Sequence, residues 1–274
     1  MELLDYFLIG ICGSLGAFLS GLLGVGGGII YVPVLTYFLS KSGMQGDMLV
    51  KGILANSLFT IIFSGSVSSY KQYKMGNFYP REILLTAIPG MLSALVTTYF
   101  IKSGSWYSFT TFNYVFASML LIITLRMFMA KKPSHNLQPE PEAGSLHYGI
   151  TGFFAGMVTA FSGLGGGVVM TPVITDILKQ SIKKASSVSN GVIPLFAIIL
   201  GVYNLSDSPS DKISEWQVGY IVFPVIIPMI LATFIFAPLG VRMAQKTEQA
   251  TVRLVFASFV GLVLIKLLYE LFIK

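Results

Sequence analysis

The chain has 274 residues, of which 54% are hydrophobic and only 11% charged, and its mean hydropathy is +0.76. Soluble domains draw about a quarter of their residues from the charged types, so a water-facing globule is excluded and a lipid bilayer is the expected solvent. The net charge of +6 comes from Lys and Arg scattered over short loops without a basic stripe, which argues against nucleic acid, and a lone Cys12 excludes an intrachain disulfide or a cysteine metal cluster.

Glu2 and Asp5 stand where a leader peptide would be basic, and no small-residue cleavage pattern follows, so the first apolar run reads as a retained helix. A helix needs about 20 apolar residues to cross hydrocarbon. Runs of that kind lie at 4–23, 52–70, 82–101, 108–130, 146–162, 187–204, 217–240 and 249–273. Two shorter apolar pieces, 28–39 and 168–178, reach only a little more than half-way across. Each follows a glycine-rich break. The proline-rich polar stretch Lys131–Ser145 is the longest interruption, and it divides the chain into an N-terminal membrane repeat (1–130), a cytoplasmic linker (131–145) and a C-terminal membrane repeat (146–274).

The two halves are related. Gly24-Val-Gly-Gly-Gly-Ile-Ile-Tyr-Val-Pro-Val-Leu35 aligns on Gly163-Leu-Gly-Gly-Gly-Val-Val-Met-Thr-Pro-Val-Ile174, with six of twelve positions identical. In the same order Ile88-Pro89 meets Ile227-Pro228, Val115-Phe-Ala-Ser118 meets Val255-Phe-Ala-Ser258, Arg126 meets Lys266 and, after a small gap, Asn56 meets Asn190. Basic residues favour cytoplasmic loops, and one topology puts twelve of the eighteen Lys and Arg inside, at 71–81, 126–132, 179–184 and 242–253. That topology places Trp106, Trp216 and both termini outside and makes equivalent helices run in opposite directions. The expected fold is therefore all-α, with two inverted repeats totalling eight to ten segments and broken or re-entrant helices at the glycine motifs.

Four glycines in five residues would destabilise a helix interior by about 1 kcal/mol each. Their repetition calls for exposed backbone at membrane depth, which is tolerated where protein buries it or where it lines a watery cavity, and broken helices in inverted repeats build midplane substrate sites. The short helices starting near Gly28 and Gly167 would turn free N–H groups toward the break, a geometry that favours an anion. The candidate substrate-binding residues are Gly26, Gly27, Gly28, Asn56, Ser57, Gly165, Gly166, Gly167, Ser189 and Asn190, with Gly24, Pro33, Gly163 and Pro172 as structural elements of the breaks. Two alternatives stay open: the glycines also satisfy GxxxG packing, as in a non-transporting scaffold, and a passive anion channel would need no alternating access.

Arg126 and Lys266, near the ends of matching helices, are expected to snorkel to the interface, with attraction of an anion as the alternative role. No Asp, Glu, Lys, Arg or His falls at the centre of an expected helix, and His135 and His147 are too few for a metal site or triad. No catalytic residue, cofactor or metal is expected. The partners are a small anionic substrate and lipid, with no nucleic acid.

The two GxGGG segments, each followed by an apolar pair and Val-Pro or Thr-Pro in an inverted repeat of this size, resemble those of the sulfite exporter TauE/SafE family of anion permeases, and the resemblance covers nearly the whole chain. It implies transport of a small sulfur-containing anion, such as sulfite, a sulfonate or a sulfoacetate-like compound, across a prokaryotic cytoplasmic membrane without a cofactor. By motif, the family's glycine segments fall on Gly24, Gly26, Gly27 and Gly28 and on Gly163, Gly165, Gly166 and Gly167. The polar cluster on the following helix reads Ala55-Asn56-Ser57 and Ser189-Asn190-Gly191 in place of the family's common glycine-threonine-serine type.

Overall fold

The computed structural model describes residues 2–104, 106–129, 143–205, 209, 212–246 and 249–272. Among them are ten α-helices: α1 (Leu3–Leu23), α2 (Gly28–Lys41), α3 (Gly46–Lys74), α4 (Pro80–Ser103), α5 (Phe109–Met129), α6 (Ser145–Ser162), α7 (Gly167–Pro172), α8 (Ile182–Leu205), α9 (Phe223–Ala244) and α10 (Gln249–Phe272). A π turn, Val173–Ile177, continues α7, and a small hairpin of β1 (Gln217–Val218) and β2 (Ile221–Val222) precedes α9. Every apolar run of the sequence contains a helix, but the run expected at 217–240 opens with the hairpin over residues 217–222, and its helix starts only at Phe223. The protein is an all-α integral membrane protein, and α1, α3, α4, α8, α9 and residues Phe109–Arg126 of α5 are each long and apolar enough to cross a bilayer. α6 is 18 residues long, and its glycines, hydroxyls and His147 dilute its hydropathy; α10 contributes the shorter apolar stretch Val260–Tyr269.

Hydrogen-bond economy sets the helix ends. α1 stops where Gly24 turns left-handed (φ +70°) and its amide donates to the Ser20 carbonyl, and α6 stops in the same way at Gly163 (φ +68°), whose amide reaches Thr159. Pro80 opens α4, where its missing N–H costs nothing.

Two ion pairs fix the path of the chain around these stops. Asp5 in the first turn of α1 accepts from Lys41 in the last turn of α2 at 2.7 Å, so α1 and α2 enter and leave at one face of the molecule, which we call the Asp5 face. Arg126, near the end of α5, pairs with Asp176 of the π turn at 3.0 Å, while the Tyr107 hydroxyl just before α5 donates to the Phe161 carbonyl at the end of α6. Burial pushes the Tyr107 phenol up, which keeps it a donor. α6 and α7 with its π turn therefore form a second hairpin, whose base lies at the opposite, Arg126 face. Each short segment therefore turns back alongside the helix before it.

Around the hairpins the helix partners exchange. α1 packs on α9 while α4 packs on α6; α3 packs on α9 while α8 packs on α4; α3 also lies against α8, and α5 against α10. α3 and α8 run antiparallel, since Asn77 beyond the end of α3 bonds Lys183 at the start of α8, and Ile62 in mid-α3 faces Gly201 near the end of α8.

Candidate functional site

The tips of the two hairpins meet inside the bundle. A Cβ on Gly28 would lie 2.6 Å from Leu164 Cα, and one on Gly167 would overlap the Gly24 carbonyl. Gly24, Gly26 and Gly27 have φ values of +70°, +84° and +77°, and Gly163, Gly165 and Gly166 of +68°, +81° and +73°. An L side chain pays for that region, so three glycines in each motif serve the turn and the fourth serves the contact between tips. Ile61 and Ile193, both fully buried, close around Gly165 at 3.3 Å.

Side-chain hydroxyls occupy the tip carbonyls. Ser189 and Thr171 donate to Gly24 O, Ser57 to Gly163 O at 2.8 Å, and Ser64 to Gly26 O at 3.2 Å. The tip amides are different. The α2 ladder begins with Ile30 and Tyr31 donating to Gly27 O, and α7 begins with Val169 and Met170 donating to Gly166 O. The amides of Gly26, Gly27, Gly28, Gly165, Gly166 and Gly167 make no hydrogen bond among the described residues, and all six residues are buried. A buried, unpaired N–H is rare and costly, and six from two facing tips form a donor set suited to an anion.

The structure thus brings together the glycines and Ser57 and Ser189, with the two serines bracing the opposite tip. It does not bring the asparagines to the tips in equal roles. Asn56 is fully engaged elsewhere: its amide nitrogen donates to Gly52 O and Tyr220 O, both at 2.7 Å, and its oxygen accepts from Val222 N at 2.8 Å, which pins the β1–β2 hairpin. Asn190 donates over a long 3.4 Å to Ser186, and its buried oxygen has no partner among the described residues. Pro33 and Pro172 lie inside the returning helices, and the π turn follows Pro172 directly.

Cavities approach the tips from both faces. On the Arg126 face a cavity of about 350 Å³ reaches Leu22, Leu23, Val25, Val168 and Val169 and carries Arg126, Lys183 and Asp176 as its charged groups. On the Asp5 face a smaller one, about 100 Å³, lies between Leu54, Leu58, Ala160 and Tyr220 and carries Lys51, Lys102 and Asp47. Each holds two cations and one carboxylate. The candidate glycines, serines and asparagines do not line either cavity; their apolar neighbours do, and the tips stand between. A third hollow, between Phe18, Phe236 and Arg242, lies on the outer flank of α1 and α9. Arg126, near the end of α5, lines the first cavity beside Asp176 of the π turn. No cluster of three or more His, Cys, Asp or Glu able to hold a metal ion occurs among the described residues.

Long apolar helices around two hairpin tips, with cavities on either side, suit a multi-pass membrane transporter. The chain belongs to the family described as Sulfite exporter TauE/SafE, which it matches over residues 9–267. It is 26% identical over 263 residues to a probable membrane transporter protein of Haemophilus influenzae, covering 94% of this chain and 96% of that protein. A probable membrane transporter protein of Methanocaldococcus jannaschii is 26% identical over 261 residues, covering 93% of this chain and 90% of the other, and one of Bacillus subtilis is 23% identical over 284 residues, covering 97% and 98%. No solved structure matches the chain.

Proposed function

We propose that this transporter carries a small sulfur-containing anion, sulfite or a sulfonate or sulfoacetate-like compound, through a cytoplasmic membrane, passing it between the two glycine tips. The six unpaired tip amides carry this reading, because they are donors placed at membrane depth without an acceptor. In that role Gly26–Gly28 and Gly165–Gly167 contact the anion through backbone N–H groups, and Ser57 and Ser189 hold the tips in register across the repeats. Two cations to one carboxylate in each cavity favour entry of negative charge from either face. The family's description supports the sulfur chemistry.

The halves 1–130 and 146–274 act in this scheme as inverted repeats. The exchange of packing partners and the antiparallel α3 and α8 support that arrangement. Purified protein in proteoliposomes should take up sulfite, methanesulfonate or sulfoacetate in preference to acetate and show counterflow, which a channel does not. Folded Gly27→Leu and Gly166→Leu variants should lose uptake. Full anion transport by those variants would sink the tip site, and the absence of transport of any panel member would sink the substrate assignment.

A further inference from the structure

We propose that Arg126 is the receptor for the oxyanion head group in the larger cavity, and that Asp176 is its built-in, displaceable counter-ion. The assignment rests on the reading of the chain as an anion transporter and names the residues that select the substrate before it reaches the glycine tips.

Arg126 stands where α5 ends, and its guanidinium borders the cavity that leads inward to Leu23, Val25 and Val169. Its Nε and Nη2 reach the same carboxylate oxygen of Asp176, at 3.2 and 3.0 Å, and Nη2 also lies 3.4 Å from the Pro172 carbonyl. Nη1 makes no hydrogen bond among the described residues. A guanidinium presents a planar fork matched to two oxygens of one acid group, and here the fork meets a single oxygen. The other Asp176 oxygen accepts from Thr175 at 3.0 Å.

The pair is also exposed to the cavity: the two side chains are 38% and 37% accessible. Ion pairs exposed to that degree hold weakly, so an incoming oxyanion that fills the fork with two oxygens can replace the carboxylate. Asp176 sits on the π turn, a local departure from the α ladder of a kind frequent at functional sites. Lys183 lines the same cavity and remains as a point charge that attracts anions without choosing among them. Apolar walls from α1 and α7 then receive whatever short carbon body the anion carries. An anion whose acid group presents two oxygens side by side is preferred over a halide.

The sign of one substitution separates this role from a purely structural ion pair. Purified protein is titrated calorimetrically with sulfite, methanesulfonate, acetate and chloride, and the folded state of every variant is checked by circular dichroism and size exclusion. Asp176→Asn removes the competitor, so methanesulfonate should bind roughly two- to five-fold more tightly. Arg126→Gln should weaken it roughly ten-fold or more and flatten the discrimination against chloride. The Arg126→Gln/Asp176→Asn double variant should behave as Arg126→Gln alone. A structural pair predicts the opposite sign for Asp176→Asn, so weaker or unchanged binding in that folded variant overturns the assignment, even where Arg126→Gln fails to fold. If the wild type binds sulfite or methanesulfonate and Arg126→Gln binds it equally, only the role of Arg126 falls. If the wild type binds none of the probes, the anion-transport reading falls with it.

Discussion

Asn56 and Asn190 align when the two halves of the sequence are matched and carry the same side chain, yet they face different hydrogen-bond problems. Asn56 has three backbone partners, and its oxygen satisfies the buried Val222 amide at the edge of the β hairpin. Asn190 has one long bond, to Ser186, and its oxygen has no partner among the described residues. Asn56→Leu strands a buried N–H and should cost on the order of 3 kcal/mol, whereas Asn190→Leu, losing one long bond, should stay within about 1 kcal/mol. Denaturant or thermal unfolding of the detergent-solubilised protein reads the difference, and equal losses would show the engagement of Asn56 to be of no consequence. The repeat made both asparagines visible in the sequence. Their inequality was not, because the hairpin that engages Asn56 lies 164 to 166 residues further along the chain. Ser57 and Ser189 were likewise visible as polar residues beside the motif, but the groups they bond lie 106 and 165 residues away in the chain.

At the scale of elements, the short apolar lengths of 28–39 and 168–178 already implied hairpins or half-crossings, and the ion pairs Asp5–Lys41 and Arg126–Asp176 decide for hairpins. The glycine motif pointed to a break without revealing how its residues divide between turning and packing. Gly27 does both: its φ is +77°, and a Cβ there would lie 2.7 Å from the Gly16 carbonyl and 2.8 Å from the Tyr31 ring. Gly76 shares the left-handed backbone at φ +70° but has open space around it. Gly76→Ala should therefore cost only the backbone penalty, about 1–2 kcal/mol. Gly27→Ala should cost that plus displacement of Tyr31, and should abolish transport as well. Comparable unfolding midpoints for the two variants would show that the tip is looser than its contacts indicate. The π turn after Pro172 had no legible signal beyond the proline, since Pro33 at the matching position sits in an unbroken α2.

For the molecule as a whole, the question is which face meets the cytoplasm and whether the tips separate two compartments. The basic segments 71–81, 126–132, 179–184 and 242–253 were assigned to one side from charge alone, and the large cavity gathers Asn77, Arg126, Lys183 and Gln245 from all four. Those segments carry twelve of the eighteen Lys and Arg, a concentration that belongs on the cytoplasmic side, so the Arg126 face is expected inside and the Asp5 face outside. In a Cys12→Ser background, Lys246→Cys should react with a membrane-impermeant thiol reagent only from the cytoplasmic side and Glu215→Cys only from the outside. The tips add a sharper expectation. Val25 lines the large cavity and Leu58 the small one, on opposite sides of the crossing between Gly28 and Leu164. With the tips closed, Val25→Cys should label only from the cytoplasmic side, and saturating transported anion should slow that labelling, because the anion and the reagent compete for one space. If the protein alternates between two states, the same anion should raise labelling of Leu58→Cys from the outside, since a ligand that binds both states draws population into the second. Labelling of Val25→Cys at equal rates from both faces would instead describe an open channel, and the tips would then be a constriction rather than a gate.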